Sequence, residues 1–302
     1  MSAPTVTRAI TDTVSVTAGS LAAYRAAVRA MITGAPGADP ASPVHAFVLC
    51  HGPAQRFIAG LAAASSEPPS VVHLAQEIRL RRPVPAAEPI TVGIDLLAAR
   101  REARGTRLVL RSTLAGGTGA PLSELATTVL LVGADAPEPF GDLPPAPAPK
   151  PGPGAGERVS VTHHLTTAMI SRYAEVSGDH NPIHLDPEAA GRAGFPGVIA
   201  HGMSVLALAC EEAIDRYAGG DPARVRGIGG RFSAPVLPGE PVEFGFQPDG
   251  EVIGFTVKSP RGVAVKAGFV ELAAEGDFEG PAVREPGADF REPAVEGGAS
   301  HA

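Results

Sequence analysis

A carboxylate and an imidazole stand five positions apart in the segment 173–184, which reads Tyr-Ala-Glu-Val-Ser-Gly-Asp-His-Asn-Pro-Ile-His. They belong to Asp179 and His184, and the glycine and proline around them predict a loop after a helix. A second helix is predicted to begin at the segment Ala-His-Gly-Met, residues 200–203. A carboxylate and a His that face a helix start can activate water beside donors for an oxyanion. These residues therefore predict an enzyme that adds or removes water next to a carbonyl group.

The elements around these residues predict an α+β fold. Residues 165–176 and 203–214 carry apolar side chains at helical spacing, and Gly219-Gly220 ends the second run. Strand-like runs with turn signals between them follow at 225–232, 241–247, 252–259 and 263–272. The first half offers similar strands at 72–81, 90–98, 107–114 and 126–132. A long helix followed by an antiparallel meander predicts a sheet that wraps a helix.

The two halves of the chain echo each other. Pro83-Val84 with Glu88-Pro89 recurs as Pro235-Val236 with Glu240-Pro241 at an offset of 152, and His51-Gly52 echoes His201-Gly202 at an offset of 150. The places in the first half that would correspond to Asp179 and His184 fall in 27–35, which holds neither Asp nor His. The repeat predicts a duplicated domain that keeps its chemistry in the second copy only.

Domain boundaries follow from composition. Residues 137–153 contain eight prolines and predict a stiff, exposed linker. Residues 276–302 are rich in Gly, Pro, Glu and Ala and predict a disordered tail. We therefore expect a degenerate first domain at 1–136, a Pro-rich linker at 137–156, a catalytic domain at 157–275 and a tail at 276–302.

Composition excludes several classes of function. The net charge is −7 and the basic residues form no long run, so a nucleic-acid partner is not expected. Cys50 and Cys210 are the only cysteines in the sequence, which fits buried thiols in a reducing compartment. Cys50 and His51 are discounted as a nucleophile and its base, because neighbouring side chains diverge. No signal-peptide pattern or membrane-spanning apolar run is found, so we expect a soluble, cytoplasmic protein.

Three segments resemble the MaoC-like dehydratases, the (R)-specific enoyl-CoA hydratases also called hydratase 2. The first segment is the family's aromatic-to-histidine signature, filled here by Tyr173, Ser177, Gly178, Asp179, Asn181, Pro182, Ile183 and His184. The other two are 200–203 and the strand-and-turn segment 231–240. The resemblance covers about 157–272 and implies a hot-dog fold. With the internal repeat it implies a double hot-dog, in which two long helices are each wrapped by an antiparallel sheet.

The resemblance also implies an activity, the reversible hydration of trans-2-enoyl thioesters to (R)-3-hydroxyacyl thioesters. In that reading, Asp179 and His184 share one water, and the backbone N–H of Gly202 stabilises the oxyanion. Asn181, His201 and Met203 are assigned to substrate binding, and a role in holding the loop stays open for Asn181 and His201. No cofactor is implied, and His163-His164 is expected to be exposed. No metal site is expected, because no spacing resembles a zinc pattern.

Two other functions stay open at this point. A hot-dog thioesterase also uses an acid and a helix-start amide on thioesters, and a non-catalytic acyl-binding subunit would need neither. The expected partner is an acyl-CoA or acyl-carrier-protein substrate, and a homodimer is compatible with the sequence. The first half is expected to bind the acyl tail through apolar runs at 22–31 and 57–64, with a purely scaffolding role as the alternative. Chain length, reaction direction and pathway do not follow from the sequence.

Overall fold

The computed structural model describes residues 9–34, 41–63, 65, 70–142 and 156–274. The first half begins with strand β1 (Ala9–Ser15) and helices α1 (Ala18–Val28) and α2 (His45–Ala62). Four strands follow, namely β2 (Ser70–Leu80), β3 (Pro89–Glu102), β4 (Gly105–Ala115) and β5 (Pro121–Val132). The predicted tail at 276–302 lies outside the described residues.

The second half repeats this order. It begins with β6 (Val159–His164) and α3 (Thr167–Ser177), and a 3₁₀ turn (Pro182–His184) and the short α4 (Pro187–Arg192) lead to α5 (Gly202–Tyr217). The strands β7 (Val225–Phe232), β8 (Pro241–Asp249), β9 (Val252–Ser259) and β10 (Gly262–Leu272) complete it. A long helix before an antiparallel meander occurs in both halves, so the predicted α+β class is confirmed.

All ten strands form one sheet with a symmetric order, β1-β3-β4-β5-β2-β7-β10-β9-β8-β6. Each strand of the first half occupies the place that its counterpart occupies in the second half, so a pseudo-twofold axis passes between β2 and β7. Glu77 of β2 pairs directly with Gly229 of β7 at this junction. The offset between these two residues is 152, the same as the offset between the two proline motifs. The structure therefore confirms two copies of one unit joined edge to edge.

The long helices pack against the sheet because each carries an apolar stripe. Helix α5 buries Met203, Leu206, Cys210 and Ile214, all of which belong to the predicted stripe. Both cysteines are free and buried, as predicted. Burying aliphatic side chains of this size is the main favourable term in folding. The shared core therefore holds α2 and α5 inside the ten-stranded sheet.

Four local features differ from the sequence-based expectations. The edge strands β1 and β6 were not predicted, although both alternate polar residues with β-branched ones, as strands do. Phe140, inside the predicted stiff, exposed linker, forms a two-hydrogen-bond bridge with Ala99 of β3. His163 is buried rather than exposed, and its Nε2 lies 2.5 Å from Glu212 Oε1. His51-Gly52 lies in the second turn of α2, whereas Gly202 begins α5, so the offset of 150 relates no equivalent positions.

Among the described helices, none has both the length and the apolar composition needed to cross a membrane.

Candidate active site

The loop that carries Asp179 starts at the end of α3. Gly178 adopts a left-handed conformation with φ of 72°, which a glycine tolerates without the penalty that a Cβ would bring. The Ser177 hydroxyl donates to the Tyr173 carbonyl and accepts the backbone N–H of Asp179 at 3.2 Å. The helix end therefore turns the chain sharply and fixes where Asp179 leaves it.

Asn181 ties this loop to the first half of the chain. Its backbone N–H donates to Asp179 Oδ1 at 3.2 Å, and its side-chain Nδ2 donates to the Val71 carbonyl of β2 at 3.1 Å. The 3₁₀ turn that follows then brings His184 back towards the same point. Asn181 lines the cavity described below, but its hydrogen bonds serve to hold the loop.

His184 presents a free ring nitrogen. Its Nδ1 lies 2.8 Å from the Ile199 carbonyl, which can only accept, so we assign the proton to Nδ1 and leave the Nε2 lone pair available as a base. His201 packs behind it, with ring centroids 3.8 Å apart, and its Nε2 donates to the Asp179 carbonyl at 3.0 Å. His201 is 1% exposed and is not among the residues that line the cavity, so it supports the loop from behind.

The electrostatics of the cluster favour a charged carboxylate and neutral imidazoles. Burial alone would raise the pKa of Asp179, but the imidazoles of His51, His201 and His184 outweigh it, so this pKa lies below its usual value. Burial lowers the pKa of His184 against the opposing effects of the Asp179 charge and the Ile199 carbonyl. Burial likewise lowers the pKa of His201, to about 4. At neutral pH the site therefore holds one negative charge beside a neutral base.

Both halves of the chain line one cavity of about 1140 Å³. Its lining includes Asp179, His184, Gly202 and Met203. It also includes residues of helix α2 and of the first-half sheet, namely Ala54, Ile58, Ala59, Ala62, Leu110 and Val129. All six are apolar, and we call the part that they line the apolar chamber. The cavity thus combines a few polar groups with a mainly apolar lining, which is the usual composition of a ligand site.

Gly202 is the first residue of α5, where backbone N–H groups have no partner inside the helix. The family resemblance assigns its backbone N–H to the stabilisation of an oxyanion. A glycine is also required here on steric grounds, because a Cβ at Gly202 would lie 2.9 Å from the Phe232 ring. Phe232 lines the same cavity. A free N–H at a helix start, beside the cavity, is suited to stabilise negative charge on an oxygen.

Known proteins resemble this chain in sequence and in fold. A family profile described as "MaoC like domain" matches residues 150–266. The chain is 30% identical over 214 residues to "Enoyl-CoA hydratase 2, peroxisomal" of Arabidopsis thaliana, which covers 68% of this chain and 69% of the relative. The chain belongs to the MaoC-like dehydratase family.

Two further family members extend the comparison. "3-hydroxyacyl-thioester dehydratase Y" of Mycobacterium tuberculosis is 33% identical over 66% of this chain and 67% of its own length. The solved structure of a MaoC-like dehydratase from Phytophthora capsici superposes with a TM-score of 0.71 at 21% identity, covering 88% of this chain and 96% of that one. The superposition extends the MaoC-like fold over both halves, including the half that lacks the family signature.

His51 is the site residue that the sequence analysis missed. It lies on α2 of the first half, lines the cavity, and places Nε2 3.6 Å from Asp179 Oδ1. As a functional residue, His51 was considered only as a base for its neighbour Cys50. The Cys50 thiol is buried, and burial raises its pKa to about 12, which makes it a poor nucleophile. A helical stripe of His51, Ala54, Ile58 and Ala62 was the available signal.

Phe57 and Leu61 of this MaoC-like chain belong to the apolar run that was expected to meet the acyl tail. Both are buried, and neither lines the cavity.

Asp179, His184 and His201 each place one possible metal-ligand atom within 4.8 Å of the others. The sequence spacing did not indicate that clustering, and the expectation of a site without a metal stays a prediction.

Proposed function

We propose that this protein is a hydro-lyase that interconverts trans-2-enoyl thioesters and (R)-3-hydroxyacyl thioesters. The observation that carries the proposal is the pairing, in the lining of a mainly apolar cavity, of the Asp179 carboxylate with the His184 imidazole, whose Nε2 has no hydrogen-bond partner among the described residues. The relatives that share the family are named as an enoyl-CoA hydratase and a 3-hydroxyacyl-thioester dehydratase. Their names support the reaction class for this chain.

The spacing of Asp179 and His184, which we call the dyad, suits one shared water. The possible ligand atoms of Asp179 and His184 lie within 4.8 Å of each other. A water that makes one hydrogen bond of about 2.8 Å to each group can bridge that gap. The carboxylate orients the water, and His184 Nε2 removes one of its protons as the oxygen bonds to C3 of the enoyl group. A neutral imidazole is an efficient base near pH 7.

The electrons displaced from the C2–C3 double bond move onto the thioester oxygen. The backbone N–H of Gly202 is placed to stabilise that oxygen, because it is the first N–H of α5 and borders the cavity. The proton held by His184 then passes to C2, so that one water is added overall and the base is regenerated. Delivery of both parts of the water from one dyad corresponds to syn addition. The (R) configuration rests on the family resemblance.

The acyl chain is assigned to the chamber beside α2. Helix α2 presents Ala54, Ile58 and Ala62 to the cavity at successive turns, and Leu110 and Val129 face it from the sheet. The first half lacks a counterpart of Asp179 and His184, so the chamber has no second reaction centre of the same kind. An apolar chain that leaves water for this chamber would contribute about 0.8 kcal/mol per CH₂.

The test is hydration of crotonyl-CoA and longer trans-2-enoyl-CoAs by the purified protein, followed as loss of enoyl absorbance, with chiral analysis of the product. The same substrates on acyl carrier protein distinguish the two thioester classes. We expect loss of absorbance without release of free thiol. Release of thiol without hydration would instead identify a thioesterase, and an (S) product would overturn the stereochemical part.

A further inference from the structure

The Nε2 atom of His51 is buried beside Asp179 without a hydrogen-bond partner among the described residues. Its side chain is 13% exposed and comes from the half of the chain that lacks the catalytic motif. A buried polar atom without a partner is costly, by about 1–3 kcal/mol, and therefore calls for an explanation. The nearest charged group is Asp179, whose Oδ1 lies 3.6 Å from His51 Nε2.

The two oxygens of Asp179 have different surroundings. Oδ1 accepts the Asn181 backbone N–H at 3.2 Å and also faces His51. A carboxylate only accepts, so a neutral His51 facing it is best placed with its proton on Nε2. The gap of 3.6 Å is too long for a hydrogen bond. Catalytic hydrogen bonds, however, often shorten when the substrate complex forms. With Oδ1 held from two sides, Oδ2 is left for the water.

We propose that His51 is a positioning residue of the reaction centre, supplied by the first half, which holds the Asp179 carboxylate through Oδ1 while His184 acts on the water. The assignment rests on the proposed hydration activity and deepens it. It gives the first half a part in the chemistry as well as in binding the acyl chain. The imidazole of His51 also lies beside the Phe47 ring, with centroids 5.6 Å apart, which limits its freedom to turn away.

Other titratable groups face Asp179 from the elements packed around it. They are His73 of β2, Tyr173 of α3, His184 of the 3₁₀ turn and His201 before α5, and His180 acts on His51. Burial lowers the pKa of His51, which the Asp179 charge opposes, so His51 is a neutral donor at pH 7. Removing His51 takes away one of the interactions that keep the pKa of Asp179 low and one of those that keep the pKa of His184 low.

The experiment compares His51→Leu, His51→Gln and the control His164→Leu in the full-length protein. Leu removes the donor and keeps an apolar volume, while the Gln amide nitrogen can reach the place of Nε2. His164 is exposed and lies away from the cavity, so its variant controls for losing an imidazole. The measurements are kcat, KM and their pH profiles for crotonyl-CoA, with thermal unfolding to confirm folding. If His51→Leu does not fold, His51→Met replaces it.

We expect kcat of His51→Leu to fall about tenfold or more, as for loss of a hydrogen bond to a charged group, with KM little changed. The acid limb of its kcat profile should also move to higher pH. His51→Gln should restore most of kcat and the position of the limb. An activity of His51→Leu within twofold of the parent overturns the assignment, as does a rise in KM alone with an unchanged pH profile.

Failure of the two proposals can be told apart. If the parent protein and the His164→Leu variant hydrate crotonyl-CoA while His51→Leu does so equally well, only the role of His51 falls. If the parent itself shows no hydration, the proposed function falls and the role of His51 falls with it.

Discussion

The hydroxyl oxygen of Tyr24 lies 3.4 Å from that of Tyr173, and the two residues occupy matching places in the two copies of the fold. The Tyr24 ring packs on His45 with centroids 5.0 Å apart, and the Tyr173 ring packs on His201 with centroids 4.9 Å apart. Each pair joins the first helix of its copy to the start of the long helix. His45 is therefore the structural counterpart of His201.

Both copies have the Tyr–His ring contact, but the first copy has no counterpart of Asp179 or His184. His201 donates to the backbone carbonyl of Asp179, whereas Nδ1 of His45 is buried without a partner among the described residues. Burial lowers the pKa of His45 to about 4, so the ring stays neutral. The first copy instead contributes helix α2. This helix places His51 beside Asp179 and lines the cavity with an apolar stripe.

Removing either member of the dyad should nearly abolish turnover. We expect Asp179→Asn and His184→Ala each to reduce kcat for crotonyl-CoA by at least about 100-fold, because general acid–base groups typically contribute that much. Thermal unfolding should show that both variants fold, with the exposed His164→Ala as a control of normal activity. A near-parental rate in either well-folded variant would remove that residue from the mechanism.

The pH dependence of kcat should show an acid limb below about 6.5, the pKa of a free His. Burial lowers the pKa of His184, so its base form persists to lower pH than that of a free imidazole. The pKa of Asp179 is also below its usual value, so the carboxylate stays charged while His184 titrates. Falling pH therefore removes activity first through protonation of His184.

An NMR titration of the histidines provides an independent check on this order. In Asp179→Asn the pKa of His184 should fall further, since the charge that opposes the effect of burial is gone. An acid limb centred above pH 6.5 in the parent, or a His184 pKa that rises in the variant, would contradict the assignment.

Chain-length preference should follow position along α2. Ala54 and Ala62 both line the cavity. They lie about 4.5 Å and 16.5 Å along the helix axis from His51, at a rise of about 1.5 Å per residue. Ala62→Leu should therefore raise KM only for the longest enoyl-CoAs, whereas Ala54→Leu should raise it for medium chains as well.

Crotonyl-CoA should be affected little by either change, because its acyl group is short. Leu61→Met serves as the control, since Leu61 is buried on the same helix but does not line the cavity. Steady-state kinetics with enoyl-CoAs of increasing chain length measures whether KM rises only for the longer substrates. A uniform rise in KM for all lengths would favour a scaffolding role for the first half.

A buried ion pair joins the two halves and should be important for stability. Arg25 of α1 and Arg29 just after it each place a guanidinium nitrogen 3.0 Å from Glu211 Oε2, and Glu211 is 0% exposed. Glu211→Gln leaves two buried cations without that carboxylate. We expect the free energy of unfolding to fall by about 3–5 kcal/mol, as when one partner of a buried pair is removed.

Denaturant unfolding measures this change. The control is Glu175→Gln, which breaks the exposed pair with Arg172 and should cost less than about 1 kcal/mol. If Glu211→Gln costs no more than the control, the buried network contributes little to the joining of the two halves.

Local sequence determined the parts of the site that lie within a few residues of one another. Asp179 and His184 approach each other because Gly178 ends the helix before them and a short turn begins at Pro182. These signals lie within seven consecutive residues of the chain. Eight of the ten described strands were predicted for the same reason, because turn residues mark their ends. The offset of 152 between the proline motifs indicated the duplication, and the same offset separates Glu77 from Gly229, which pair across the axis.

Tertiary structure alone decided which surfaces meet. His51 reaches Asp179, and Asn181 reaches Val71, only because the β2–β7 pairing places the two copies side by side. Burial of His163 against Glu212 depends in the same way on how β6 and α5 pack. Periodicity in a sequence shows that a helix has an apolar or polar face, but not which element that face will contact. The position of His51 opposite the Asp179 carboxylate therefore follows from the way the two copies pack together.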